Sequence, residues 1–207
     1  MDYAPTYPIE TERLRLRPFT RGDVESVFAY RRREDVARYL SDGPLSHETC
    51  TEVVQVRVGQ TSLSSEGAKI FLALELKSDA MVIGEVSLIL RDETSRQGEI
   101  GYVLHPDYQG QGYATEAARM LLEMGFSGAG LHRIYARCAP ANIASRRVME
   151  RLGMRQEAHF REHVFARGKW EEECYYALLA REWHAAREPA QSASPDAGGQ
   201  PPENNDG

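Results

Sequence analysis

A short glycine-containing stretch has the residue types that can hold a phosphate group, and it lies between a predicted strand and a predicted helix. It reads Gln109, Gly110, Gln111, Gly112, Tyr113 and Ala114. Glycine lets the backbone turn sharply and approach a ligand closely. The start of a helix adds N–H groups without intrahelical partners and the positive end of the helix dipole. Since several N–H groups can converge there on one pyrophosphate, the stretch predicts an anion-binding turn.

Two common phosphate motifs do not fit this stretch. A P-loop needs a Lys-Ser/Thr pair directly after its glycines, and none follows them here. The dinucleotide fingerprint Gly-x-Gly-x-x-Gly also fails, because Thr115 stands where the third glycine is required. For an isolated Gly-x-Gly one alternative stays open, a strand-to-helix turn that binds no ligand.

Together with a second segment, the turn resembles the GNAT superfamily of N-acetyltransferases. It matches the superfamily signature Arg/Gln-x-x-Gly-x-Gly/Ala at Gln109, Gly112 and Ala114. Residues 142–154 are similar to a second motif, in which an asparagine precedes a helix that ends at a glycine corner. The two segments follow each other in the order that the superfamily has.

Three other segments are similar to the Rim-type branch of that superfamily. They are residues 12–18, the strand that contains Glu99, and residues 168–183, so that the resemblance covers about residues 9–183. The branch contains the ribosomal-protein Nα-acetyltransferases and many small-molecule amine acetyltransferases. The resemblance implies an enzyme that transfers an acetyl group from acetyl-CoA directly to a primary amine. The acceptor would be a protein N-terminal α-amine or a small molecule such as an antibiotic or a polyamine.

The resemblance also implies an α/β fold with a single GNAT-type domain. A central mixed, mostly antiparallel twisted sheet of about seven strands would be flanked by helices. Two central strands would splay apart and form the slot for acetyl-CoA. The family uses no covalent enzyme intermediate and no metal.

Cofactor-binding roles follow from the same resemblance. The pyrophosphate would lie on the backbone of the glycine turn, and the pantetheine arm along the strand that ends at Leu104. A backbone N–H near Val103 or Leu104 would polarise the thioester carbonyl. Asn142 is expected at the pantetheine arm, although an asparagine before a helix also serves as a plain N-cap. The two roles of Asn142 are compatible.

The amine must lose a proton before or during its attack. A lysine-like amine of pKa about 10.4 is neutral in only ~1 of 1000 molecules near pH 7.4, whereas an α-amine of pKa about 7.7–8.0 is largely available. The resemblance implies Glu99 as the general base, acting through a water, with Glu85 in reserve. A structural role is the alternative for Glu99.

A proton donor for the departing thiolate is a separate question, because a thiolate is a tolerable leaving group even without one. Many family members use a tyrosine seven residues after the motif asparagine, but Met149 stands there and cannot donate. In the Rim-type branch the serine that corresponds to Ser145 is an alternative donor. A hydroxyl that bonds to the local backbone is the other interpretation of Ser145. Loss of the tyrosine favours a second hypothesis, a non-catalytic regulatory protein of the same fold that binds acyl-CoA.

Hydrophobic periodicity predicts the elements that would position these residues. The clearest helix covers residues 113–126, where Ala117, Ala118, Leu121 and Leu122 follow helical spacing. Further helices are predicted at residues 20–30, 48–58 and 143–152. Strands are predicted at residues 14–18, 70–76, 82–90, 99–104, 133–138, 157–165 and 170–179.

Length and composition set the remaining limits. The 207 residues suit one domain, expected at residues 9–186 after an N-terminal extension at 1–8. Residues 187–207 have no aromatic residue and no Val, Ile, Leu or Met, which predicts a disordered tail. The formal net charge of −6 disfavours nucleic acid as a partner.

The chain shows no apolar run that would span a membrane and no secretory signal, so we expect a cytoplasmic protein, as monomer or homodimer. Its three cysteines are far apart, which favours reduced thiols over disulfides. His159 and His163 alternate onto one strand face without a fitting third ligand, so no metal is expected.

Overall fold

Eight strands form one mixed sheet in the computed structural model of the protein, which describes residues 1–187. The strands are β1 Ile9–Glu10, β2 Leu14–Pro18, β3 Lys69–Leu76, β4 Val82–Asp92, β5 Gln97–Leu104, β6 Arg133–Cys138, β7 Arg155–Ala166 and β8 Lys169–Leu179. Their order in the sheet is β1-β2-β3-β4-β5-β6-β8-β7. Every neighbouring pair is antiparallel except β5 and β6. The seven strands expected from the sequence are all present, and the eighth is the two-residue β1.

The four predicted helices are present, and two short ones accompany them in the described part of the chain. The helices are α1 Val24–Arg31, α2 Glu34–Ala37, α3 His47–Arg57, α4 Tyr113–Glu123, α5 Ile143–Arg151 and α6 Ala180–Ala185. A π-helical turn, Met124–Gly128, continues α4. The disordered tail was predicted from residue 187 on, so all but its first residue lies outside the described residues.

The two faces of the sheet pack against different helices, because successive side chains of a strand point to opposite faces. On β3, Leu72 and Leu74 join a large core with Leu121 of α4. Ala73 lies between them and joins a smaller core with Val27 of α1. The helices α4 and α5 therefore cover one face, and α1 and α3 cover the other.

The central strands β5 and β6 separate after a short region of pairing. Their register covers only Gln97–Glu99 of β5 and residues 133–135 of β6. β5 continues to Leu104 and β6 to Cys138, so the second half of each strand is unpaired across the gap between them. This gap, which we call the slot, confirms the predicted splayed pair.

The first eight residues pack onto the domain. Tyr3 and Leu63 exchange two backbone hydrogen bonds of 2.9 Å, and the Tyr7 hydroxyl donates to the carbonyl of Thr61 at 2.9 Å. The domain start at residue 9 stays a prediction. None of the helices in residues 1–187 is long and apolar enough to cross a membrane.

Candidate functional site

The glycine turn has a backbone conformation that explains its composition. Gly110 has φ of 76° and Gly112 has φ of 88°, and Gly112 is the N-cap of α4. Residues other than glycine rarely adopt such positive φ values. A Cβ atom at Gly110 would have no atom within 4 Å, so space remains beside this backbone for a ligand.

Six successive backbone N–H groups of the turn are free to bind an anion. Among the described residues, no acceptor takes the N–H groups of residues 110–115. The first helical hydrogen bond of α4 runs from the Glu116 N–H to the Gly112 carbonyl at 3.0 Å. The positive end of the α4 dipole lies at the same place. The backbone of the predicted pyrophosphate residues thus fits an anion.

Arg13 supports the turn from the loop between β1 and β2, a role that sequence reasoning missed. Its Nε donates to Oε2 of Glu116 at 2.8 Å, and its Nη1 donates to the Gln111 carbonyl at 2.9 Å. Although burial would raise the pKa of Glu116, hydrogen bonds from Thr11 and Arg13 hold it below its ordinary value. Arg13 therefore neutralises a carboxylate that would otherwise repel a phosphate in the first turn of α4.

The end of β5 offers one backbone N–H to the slot. His105 donates to Ile83 of β4 at 2.8 Å, so the alternation of an antiparallel ladder directs the Val103 N–H toward β4 and the Leu104 N–H toward the slot. The Gln109 side chain donates to the Leu104 carbonyl at 3.2 Å, on that same side. Of the two predicted carbonyl-polarising donors, the geometry favours Leu104.

Asn142 and Ser145 lie at the start of α5, which follows β6 across the slot. The Asn142 Oδ1 accepts the Ser145 N–H at 3.1 Å, so Asn142 is the N-cap of α5. Its contact with the pantetheine arm stays a prediction. The hydroxyl of Tyr102, on β5, lies 2.9 Å from Oγ of Ser145. Met149 is fully buried in the core.

Glu99, the predicted base, is 9% exposed and lies where β5 and β6 begin to separate. Nε of Arg91 donates to its Oε2 at 2.7 Å, and Nε of Arg137 donates to its Oε1 at 2.9 Å. Arg137 also contacts Glu173 at 3.2 Å. Both carboxylate oxygens of Glu99 thus accept a hydrogen bond from a guanidinium group, and a water that hands Glu99 a proton competes with both.

Glu85, the reserve base, lies inside the core under α1 and α3. It is 3% exposed, and its carboxylate accepts hydrogen bonds from the Tyr30 hydroxyl at 3.0 Å, from Arg31 at 3.2 Å and from Arg57. Each of these contacts joins β4 of the sheet to α1 or α3. The geometry therefore gives Glu85 a structural role.

A small cavity of about 60 Å³ lies beyond the end of β6, between the β7–β8 hairpin and the loop after α2. We call it the acceptor cleft, after the role that we propose for it below; its lining includes Tyr39, Ala139, Arg167, Glu171, Glu172 and Glu173. Since Glu173 and Glu99 share Arg137, the cleft adjoins the predicted base. Arg167, at the hairpin turn, donates to the carbonyls of Ala37 at 3.3 Å and Arg38 at 2.9 Å. These contacts hold the two walls of the cleft together.

No group of three His, Cys, Asp or Glu side chains within residues 1–187 has the arrangement of a metal site. His159 instead pairs with Glu172 at 2.7 Å. His163 stacks on Phe160, with ring centroids 4.7 Å apart.

Comparison with known proteins identifies the family. Residues 13–155 match the acetyltransferase (GNAT) domain family. An uncharacterised N-acetyltransferase of Bacillus subtilis, YnaD, is 36% identical over 176 residues, which cover 85% of this chain and 99% of that protein. The chain therefore belongs to the GNAT family of acetyltransferases, which confirms the resemblance and the prediction of an N-acetyltransferase enzyme.

Solved structures agree with this fold. A GNAT-family acetyltransferase from Bacillus anthracis has a TM-score of 0.76 at 34% identity, over 84% of this chain and 99% of that one. Spermidine N-acetyltransferase from Vibrio cholerae, in complex with CoA and spermine, has a TM-score of 0.71 at 23% identity, over 84% of this chain and 99% of that one.

Proposed function

We propose that the protein transfers the acetyl group of acetyl-CoA directly to a primary amine. The observation that carries this proposal is the slot between β5 and β6, which opens beside the six free N–H groups at the start of α4. A long ligand with a pyrophosphate in its middle and a thioester at its end suits such an arrangement. Backbone N–H groups would take the pyrophosphate, and the slot would take the thin arm.

Each residue predicted to bind the cofactor has a place in this proposal. The backbone of residues 109–114 holds the pyrophosphate, and Val103 and Leu104 border the arm. The Leu104 N–H polarises the thioester carbonyl, which acquires negative charge as the amine attacks. Asn142 keeps α5 in place beside the arm and contacts it.

The acceptor side lies on the other face of the sheet, toward Glu99 and the acceptor cleft. Glu171, Glu172 and Glu173 line this cleft and supply carboxylates for a cationic amine. A hydrogen bond from Arg167 lowers the pKa of Glu171, which therefore stays charged. The Vibrio cholerae relative that binds spermine supports a polyamine, and the Rim-type resemblance supports a protein α-amine.

Proton transfer defines the roles of Glu99 and Ser145 in this proposal. Glu99 accepts the proton of the amine through a water, a task that matters more for a lysine-like amine than for an α-amine. Ser145 assists the departing thiolate. The cytoplasmic location and the monomeric or dimeric state predicted from the sequence stay predictions.

The test is acetyl-CoA consumption, followed as release of free thiol, against peptides with free N-termini, polyamines and aminoglycoside-like amines. Acceptor-dependent release above the hydrolysis background would establish the activity and the acceptor class. Tight acetyl-CoA binding without release for any amine would contradict the proposal and favour the non-catalytic regulatory protein.

A further inference from the structure

A pair of hydroxyl groups spans the slot at the place where the family tyrosine is missing. Tyr102 lies on the second half of β5, and Ser145 lies in the first turn of α5, which follows β6. The Tyr102 hydroxyl is 2.9 Å from Oγ of Ser145 and 3.1 Å from the Ser145 carbonyl. The residue at the family position of the tyrosine, Met149, has no hydroxyl and is fully buried. A phenol from β5 thus reaches the start of α5 instead.

The Tyr102 hydroxyl is within hydrogen-bond distance of two oxygens of Ser145. Burial raises the pKa of Tyr102, so the phenol keeps its proton and can donate it in a hydrogen bond. Between the two hydroxyls either oxygen can be the donor, and the Ser145 carbonyl is a second acceptor for the phenol. When the phenol donates to the Ser145 Oγ, the proton of the Ser145 hydroxyl is free to point elsewhere.

We propose that Tyr102 is a positioning residue, which fixes the Ser145 hydroxyl so that its proton points into the slot and donates a hydrogen bond to the departing sulfur. The inference rests on the proposed acetyl transfer. In that reaction the amine nitrogen bonds to the carbonyl carbon, and the carbon–sulfur bond breaks with its electron pair on sulfur. The proton that the nitrogen releases ends on sulfur through solvent. Tyr102 and Ser145 keep their own protons. They stabilise the negative charge on sulfur after the carbon–sulfur bond breaks and before the sulfur is protonated.

The surroundings of Ser145 make such a donor valuable. Cys138 ends β6 beside the slot, and burial raises the pKa of its thiol to about 11. The same buried environment would also destabilise the thiolate of the departing CoA. A fixed hydrogen-bond donor would therefore stabilise that thiolate as it forms. Without Tyr102, the Ser145 hydroxyl would turn to a backbone carbonyl of the preceding turn, as serines in helices do.

The experiment compares single-turnover acetyl transfer, with enzyme in excess over acetyl-CoA, in Tyr102→Phe, Ser145→Ala and the double variant. Tyr102→Phe should slow transfer about ten-fold or more, with the Kd of acetyl-CoA and the Tm close to wild type. The double variant should be no slower than Ser145→Ala, since the two groups act as a unit. Tyr7→Phe is the matched control, because within residues 1–187 its phenol donates only to the Thr61 carbonyl, away from the slot, and its transfer rate should not change.

Other results would overturn the inference. A Tyr102→Phe rate within two-fold of wild type, or additive losses in the double variant, would do so. Ser145→Thr keeps a hydroxyl near Tyr102 and should recover most of the rate lost in Ser145→Ala; a threonine variant as slow as alanine would also contradict it. A wild-type enzyme that transfers to no amine would instead contradict the proposed function, so the two failures are distinguishable.

Discussion

The chemistry of Glu99 depends on the two arginines that hold it. Arg91 and Arg137 each bind one of its carboxylate oxygens, and Arg137 connects it to Glu173 beside the acceptor cleft. A water that takes the proton of an amine to Glu99 must therefore share its carboxylate oxygens with the two guanidinium groups.

The dependence on amine pKa tests this role. Glu99→Gln should lower kcat/KM by about 100-fold for a polyamine of pKa near 10, and by less than about ten-fold for a peptide α-amine. The reason is that the α-amine is already largely neutral near pH 7.4. Steady-state kinetics with both acceptors at this pH gives the two ratios.

Glu157 provides the matched control for that substitution. It also pairs with two arginines, Arg133 and Arg155, but it lies on β7 away from the slot. Glu157→Gln should leave kcat/KM unchanged for both amines. An equal loss for both amines in Glu99→Gln would remove Glu99 as the base and leave it a structural role.

The sequence predicted the site residues whose function depends on local backbone, and it missed those that act over long range. The glycine turn and the Asn142 cap are local features, so composition and spacing indicate them. Arg13 reaches a carboxylate 103 residues later, and Tyr102 reaches a serine 43 residues later. No pattern within a window of the sequence specifies such contacts, because the packing of separate elements creates them.

Among the elements, the start of α4 offers the proposed cofactor a run of six free backbone N–H groups. A glycine with positive φ ends the turn there, and the helix begins with unpaired N–H groups. The affinity comes from backbone groups, so side-chain substitutions act on it mainly by filling space or adding charge. Gly112 is the position where a substitution does both.

Gly112→Glu should raise the Kd of acetyl-CoA at least about 100-fold, because its Cβ would lie 3.3 Å from Nη2 of Arg13 and its negative charge would stand beside the free N–H groups. Isothermal calorimetry measures the affinity. Gly67→Glu is the control, since Gly67 has nearly the same φ of 85° and open space around it. It imposes the same backbone strain, about 1–2 kcal/mol, without reaching the site. Equal affinities of Gly112→Glu and wild type, with the fold intact, would refute the assignment of the turn.

Element length decided which elements could be recognised in the sequence. The eleven residues of α4 include Ala117, Ala118, Leu121 and Leu122, all buried, so the helical period is plain. The helices α2 and α6 have four and six residues, and β1 has two. These are too short to show a period, and tertiary contacts determine their conformation.

At the scale of the whole molecule, the proposed reaction is divided between the two faces of the sheet. Tyr102 and Leu104 of β5 face α4 and α5 with the proposed cofactor, whereas Glu99 and Val103 face the other side. Because β5 and β6 separate after three paired residues, the two faces communicate through the slot. An amine on the acceptor side would therefore reach an acetyl group directly through the slot and would not have to pass around the edge of the sheet.

The contact between the β7–β8 hairpin and the loop after α2 should set acceptor affinity without affecting the cofactor. Arg167→Ala removes its hydrogen bonds to the carbonyls of Ala37 and Arg38, and each such bond contributes about 0.5–1.5 kcal/mol. The KM of the amine should therefore rise by about 5-fold to about 150-fold, while the Kd of acetyl-CoA stays the same. Lys169→Ala is the control, since Lys169 lies in the same hairpin and, among the described residues, its ammonium group forms an ion pair only with Glu171. Two outcomes would show that the cleft is not the acceptor site. In one, Arg167→Ala changes the Kd of acetyl-CoA as much as the KM of the amine; in the other, it changes neither.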